Sequence, residues 1–354
     1  MKRQYIYSFI LIFIFVIACT QKQQNSEQNI RQVIDTIGFA KYDWQMDSIM
    51  KRLNISKTYD KTWRIAISPH DDYTYVGDLY PNTLHGLKAK TVVLFGVAHK
   101  ARNFNLENKI IFDSYDSWSA PYGNVKVSYI RNEMISKLPD SLHVIHDEMQ
   151  SIEHSLEALI PFLQYNNRDL EIIPVLVPYM TYEKMQQIAN SFSEALAEII
   201  VDNNLKWGED IAILISTDAV HYGDDDWGDK NYAPYGTDSI GLLQARNHEL
   251  EIINNCLVGN ITNEKIKQFV NYTVQDLDYK EYKWTWCGRY SVPFGLLTAE
   301  KLNKELNGNQ LNGIFVRYST SIDHPYLKVD DLGMGTTAPA TNNHWVGYAA
   351  VAYE

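Results

Sequence analysis

The sequence predicts an α/β fold: a single large domain built on a central, largely parallel sheet flanked by helices. Three observations point there. Apolar runs of strand length recur at Thr91–Gly96, Glu171–Val177 and Ile211–Ile215, the pattern of strands buried on both faces. Segments with helical spacing separate them, most clearly Tyr182–Val201. Alternation of the two implies parallel strands joined by crossover helices. A chain of 354 residues, 45% hydrophobic and 21% charged, is long enough to bury such a core.

Taken in order, Lys2 and Arg3 precede the apolar stretch Phe9–Val16, and small Ala18 precedes Cys19. That is the layout of a secretory signal peptide over residues 1–18, too short for an ordinary membrane span. Val-Ile-Ala-Cys19 resembles a bacterial lipobox, which implies a lipid anchor on Cys19. The expected location is the cell envelope, the outer membrane before the inner because no Asp follows Cys19. Residues 19–29 are rich in Gln, Asn and Ser and read as a flexible tether. Ile34, Ile37, Met46, Ile49, Met50 and Leu53 recur at helical spacing, predicting one or two helices in an N-terminal segment, 30–63.

The compact domain is expected over 64–354. Ile65–Ile67 is a short strand stopped by Pro69, with His70 at its end, and Asp78–Leu87 a helix. Thr91–Gly96 runs into His99. Short strands at Lys109–Phe112 and Val125–Tyr129 flank the loop Trp118–Gly123, and another lies between His143 and His146. Ser151 is placed to cap a helix over Ile152–Gln164. After Ile211–Ile215 comes Ser216-Thr-Asp-Ala-Val-His-Tyr-Gly223, then an acidic loop, 224–229, which lacks EF-hand spacing and reads as solvated. Helices at Ile240–Cys256, Asn263–Val270 and Pro293–Asn303, a strand at Gly313–Tyr318, a Gly/Thr/Ala-rich linker at Gly333–Thr341 and an alternating strand at Trp345–Tyr353 complete the chain. Cys256 and Cys287 are either free or paired; counting leaves both open.

Formal net charge is −11, and −13 once Lys2 and Arg3 are removed. So acidic a body argues against nucleic acid or anionic lipid as the main partner. The chemistry gathers at strand ends, where open α/β sheets bind ligands. His70, His99, Asp218, His221 and Cys287 all sit just past apolar segments, and Glu153 and His154 open the expected helix. Each alone is more often structural. Together, two His with a thiolate or carboxylate make a coordination set for a transition metal. A carboxylate favours iron and dioxygen, and a Cys favours copper or zinc. Asp218 and His221 then read as a proton carrier oriented by a carboxylate.

The motifs Pro-His70-Asp-Asp-Tyr, Gly-Val-Ala-His99, Trp118-Ser-Ala-Pro-Tyr-Gly, Glu153-His-Ser-Leu-Glu, Ser216-Thr-Asp-Ala-Val-His-Tyr-Gly and Cys287-Gly-Arg, in this order, resemble the Memo family, also called AmmeMemoRadiSam system protein B. The resemblance runs from about Ile65 to about Ser321. It implies a fold like class III (LigB-like) extradiol dioxygenases and a pocket holding one metal ion, iron or copper before zinc. The implied ligands are His70, His99 and Cys287, with Asp218 and His221 as catalytic groups. Glu153, His154, Trp118 and Arg289 are expected to line or support that pocket. Asp71-Asp72, Lys100 and Gln150 depart from the family's usual residues. The expected function is redox or oxygenase-type metal chemistry. The alternatives are a non-enzymatic holder of metal, peptide or small ligand and, more weakly, a metal-dependent hydrolase.

Overall fold

A computed structural model describes residues 28–54, 62–225, 227–228 and 230–354. The signal peptide, Cys19 and the tether up to residue 27 lie outside the described residues, as do residues 55–61, 226 and 229.

The strands in chain order are β1 (Ile30–Arg31), β2 (Ile65–Ser68), β3 (Thr91–Val97), β4 (Ile110–Phe112), β5 (Ser117–Trp118), β6 (Val125–Val127), β7 (His143–Ile145), β8 (Glu171–Val177), β9 (Ile211–Ser216), β10 (His221–Gly223), β11 (Gly259–Asn260), β12 (Asn312–Thr320) and β13 (His344–Tyr353). They form one sheet in the order β1-β5-β6-β8-β3-β9-β2-β13-β12-β11, with β10 beside β13 and with β4 joining β7 to β8. Its centre, β6-β8-β3-β9-β2, is parallel, and β13, β12 and β11 continue it antiparallel. The predicted fold class is therefore correct, with a mixed edge added.

The continuous apolar runs follow from helices on both faces. In β3, Val93 and Phe95 enter one core, while Val92 and Leu94 enter the other. In β9, Ile211, Ile213 and Ile215 face the first core and Ala212 and Leu214 the second. A strand that buries alternate residues on opposite faces cannot carry polar ones on either. The first face packs under the helices Tyr182–Asp202 and Ser291–Glu305, the second under Asp43–Leu53, Leu79–Leu84 and Ile160–Asn166. No helix among the described residues is long and apolar enough to cross a membrane.

Three expectations need correction. Among the described residues of the N-terminal segment one helix forms, Asp43–Leu53, and Ile34 and Ile37 lie outside it. Ile30–Arg31 instead pairs with Ser117–Trp118. Side chains capture the backbone in between: Glu157 accepts from Ile34 and Asp35 N–H, and Asp35 accepts from Ile37 and Gly38 N–H. Local capture of this kind competes with helix. The helix expected over 152–164 forms only over Ile160–Asn166, without a side-chain cap, and a separate short helix, Asp147–Ser151, capped by His146, ends where it was expected to begin. The 333–341 linker is tied down, since Thr337 N–H donates to Asp72 Oδ2 and Gly335 N–H to the Ile37 carbonyl.

Candidate metal centre

β3, β9 and β2 lie side by side and run parallel, so their carboxyl ends share one edge. Each apolar run stops there, and the next residues are His99, Asp218 and His70. The geometry then fixes how each side chain presents itself.

His70 is buried, its Nδ1 2.7 Å from Ser216 Oγ. The Ser216 hydroxyl gives its single proton to the Ser155 carbonyl at 2.5 Å. Ser216 can therefore only accept from His70, which places the imidazole proton on Nδ1 and leaves Nε2 with a free lone pair. That Nε2 lies 3.3 Å from Asp218 Oδ2 and 3.7 Å from Cys287 Sγ. Burial, reinforced by the neighbouring imidazoles of His99, His154 and His221, holds the pKa of His70 well below the usual value.

His99 is oriented the same way by a different partner. Its backbone N–H and its Nδ1 both meet Glu153, at 2.8 and 2.9 Å. Glu153 also accepts from the N–H groups of His154 and Ser155. A carboxylate saturated by successive backbone donors explains why residues 153–159 form a turn instead of a helix. Burial opposes charge on both partners. Even so, Glu153 raises the pKa of His99 well above normal, and His99 holds Glu153 at about 2. This carboxylate–imidazole pair leaves Nε2 as the outward-facing ligand atom. Behind it, Arg31 donates to the Glu153 carbonyl at 2.5 Å and pairs with Glu157 at 2.5 Å.

Cys287 reaches the same place from a turn ahead of the helix Ser291–Glu305. Its Sγ accepts from Asp218 N–H at 3.0 Å and lies 3.7 Å from His70 Nε2. The turn approaches the end of β9 so closely that a Cβ on Gly288 would lie 2.2 Å from Thr217 Oγ1. Burial raises the Cys287 thiol pKa, against the pull of His99. Both cysteines are free, which removes the disulfide alternative.

Two overlapping sets of donor atoms close within 4.8 Å, His70/His99/His154 and His70/Asp218/Cys287, sharing His70. Ligand atoms around a four-coordinate ion at about 2.0–2.3 Å lie roughly 3.3–3.8 Å apart. A shift on the order of 1 Å would therefore close either set, and imidazole with thiolate or carboxylate suits a transition ion. The residues present fit the group.

All of these but Cys287 wall a cleft of about 310 Å³ lined also by Asp35, Asp71, Asp72 and His221. His221 Nε2 is buried there without a partner, and burial with the charges of His99, His344 and His154 lowers its pKa to about 3. Burial, then Asp71, pushes Asp218 well above the carboxylate range. His154 stacks on His99 at 4.9 Å; burial and then His99 lower its pKa to about 4.

Trp118, expected at the pocket, does not line it. It is buried behind it, under Arg31 at 4.1 Å and donating to Asp113. The strand pairing with Ile30–Arg31 draws it away. Arg289 lines a different cleft and, among the described residues, pairs with no Asp. Sequence reasoning missed His344, Trp227 and Thr337 in the first cleft. His344 opens β13 and stacks on Trp227 at 3.8 Å; its place at a strand end was its one signal.

A model of the Memo-like protein family matches residues 40–335. The chain belongs to the Memo family. A MEMO1 family protein of Aquifex aeolicus is 34% identical over 263 residues, covering 73% of this chain and 79% of that protein. One from Metallosphaera sedula is 25% identical, covering 71% and 77%. A third, from Archaeoglobus fulgidus, is 28% identical but covers only 46% and 57%.

Within this Memo-family chain the departures noted above have structural roles. Asp71 accepts from Tyr348 OH at 2.6 Å, and Asp72 holds Thr337 over the cleft. Gln150 Nε2 donates to the Ile111 carbonyl, and the Gln150 carbonyl accepts from Arg31. Lys100 is exposed and reaches only the Ile152 carbonyl at 3.5 Å.

Proposed function

We propose that this protein is a lipid-anchored, cell-envelope member of the Memo family that holds one transition metal ion, iron or copper before zinc, for redox or oxygenase-type chemistry on a small-molecule or peptide ligand. The observation that carries the reading is the pair of imidazoles, His70 and His99. Independent partners, Ser216 and Glu153, lock each with Nδ1 as donor, which leaves Nε2 as the ligand atom of both, and that of His70 lies 3.7 Å from Cys287 Sγ. Each imidazole is held through Nδ1 by its own oxygen partner, and His70, His99 and His154 each offer a ligand nitrogen within 4.8 Å of the others.

His70, His99 and Cys287 would hold the ion, with His154 and Asp218 beside them. Bound iron or copper would supply a redox centre able to engage an oxidant or substrate. The chain's own groups do the rest. Burial favours the protonated form of Asp218, whose Oδ2 lies 3.3 Å from His70 Nε2, so the pair is placed to pass a proton. His221 Nε2, buried without a partner, is free to hydrogen-bond a ligand in the cleft. A second reading, a non-catalytic metal holder, draws support from His221, whose pKa of about 3 makes it a weak base near neutrality.

The test is elemental analysis of the full chain, purified in detergent without oxygen, beside His70→Ala and Cys287→Ala. About one iron or copper per chain, lost in both variants, is expected. No metal as isolated and none taken up on titration would overturn the reading. Incorporation of labelled palmitate, abolished by Cys19→Ala, is the expected result for the anchor.

A further inference from the structure

On the other side of His99 and Cys287 lies a second cleft, of about 300 Å³, with the opposite chemistry. Arg102, Lys230, Lys280 and Arg289 line it, against one carboxylate, Glu281. Arg102 and Arg289 both donate to the Lys280 carbonyl, at 2.6 and 3.1 Å, which draws two guanidinium groups together. Glu281 pairs with Arg102 at 3.2 Å, and Glu107 with Lys280 at 2.6 Å. Among the described residues Arg289 has no carboxylate partner and Lys230 makes no ion pair.

Arg289 is the decisive group. It is 7% exposed, its guanidinium lies 3.5 Å over the Tyr282 ring and 4.7 Å from Tyr290, and its buried Nε has no hydrogen-bond partner. A buried, permanently charged group with an idle N–H is costly to keep. Clamped flat by aromatic rings, it is also pre-organised to meet an oxyanion with parallel N–H donors.

We infer that this basic cleft binds a small organic oxyanion, a carboxylate or a phosphate ester, whose other end reaches Cys287 and His99. The volume admits a molecule of metabolite size. Anion recognition rests on the four cationic side chains; the alignment with Cys287 rests on the metal reading above.

The test is calorimetric titration of the full chain in detergent, as isolated and again after chelation, with benzoate, phenyl phosphate and neutral benzyl alcohol. One saturable site for benzoate or phenyl phosphate is expected, with none for benzyl alcohol, and the oxyanion that binds identifies the source. Arg289→Gln should weaken binding by about tenfold or more, the loss of a charge-assisted fork. Lys230→Gln, an exposed change that spares folding, should weaken it about threefold. Asp35→Asn, in the other cleft, should leave it unchanged. Binding of neither oxyanion, or binding that both cationic-site variants leave intact, would overturn the inference. Because the chelated chain is titrated too, failure of the metal reading would leave this result standing.

Discussion

Two clefts meet at one wall. The first is lined by His and Asp side chains: His70, His154 and His221, with Asp35, Asp71, Asp72 and Asp218. The second is lined by Arg102, Lys230, Lys280 and Arg289. His99 lines both, and Cys287 opens onto the second while its sulfur faces His70. An ion held by His70, His99 and Cys287 would sit at that partition. A carboxylate-rich chamber favours cations and protons and a guanidinium-rich one favours anions, so the wall has access to both kinds of reactant without mixing them.

The partition can be broken from behind. Arg31→Met removes the cation facing buried Glu157 and the donor to the Glu153 carbonyl. Breaking a buried pair on one side costs about 3–5 kcal/mol. Chemical denaturation should show that loss, together with weaker metal retention because Glu153 is no longer anchored; unchanged stability would detach Arg31 from the account.

Glu249 lies beneath both loops that form the wall. Its carboxylate accepts from Val220 N–H, two residues beyond Asp218, and from the indoles of Trp284 and Trp286, just ahead of Cys287. Burial raises its pKa from 4.5 to about 7, against those donors. The folded state therefore binds this proton more tightly than the unfolded state. The stabilisation is complete below pH 4.5 and is lost as pH rises through about 7. Glu249→Gln cannot titrate, so its stability relative to the parent should improve across that window by up to roughly 3 kcal/mol. Urea midpoints at several pH values check this, and a difference independent of pH contradicts it.

Ser216→Ala is the gentlest change that addresses the wall itself. It keeps the packing and removes the acceptor that fixes the His70 tautomer. Losing such a partner weakens metal affinity about 10- to 100-fold. Competition with a chromophoric chelator measures it, and parental affinity would mean that the tautomer is set elsewhere. Glu153→Gln should behave alike at His99, while Asp113, bound to Trp118 and Arg131 away from the wall, gives an Asn control with no effect on metal.

The first chamber was largely legible in the sequence and the second was not, for a physical reason. His70, His99 and Asp218 follow strands whose apolar runs fix where the sheet ends, so pattern alone places them at one edge. Arg102 comes from a single 3-10 turn and Lys230 and Lys280 from loops, where cations carry no periodicity and their meeting depends on the path of the chain. Arg289 was visible only as a neighbour of Cys287. Glu153 lay between these cases: its motif was plain, but its backbone captures turned an expected helix into a turn. Trp118 misled because a short strand, Ile30–Arg31, pairs beside it across the sheet edge, and two residues give no strand pattern to read.

The most direct test of the shared wall is anomalous X-ray scattering from crystals of the protein loaded with iron or copper. The account predicts one strong peak about 2.0–2.4 Å from the Nε2 atoms of His70 and His99 and from Cys287 Sγ. A peak within the Asp35–Asp71–Asp72 group, or no ordered ion in crystals shown to contain the metal, would contradict it.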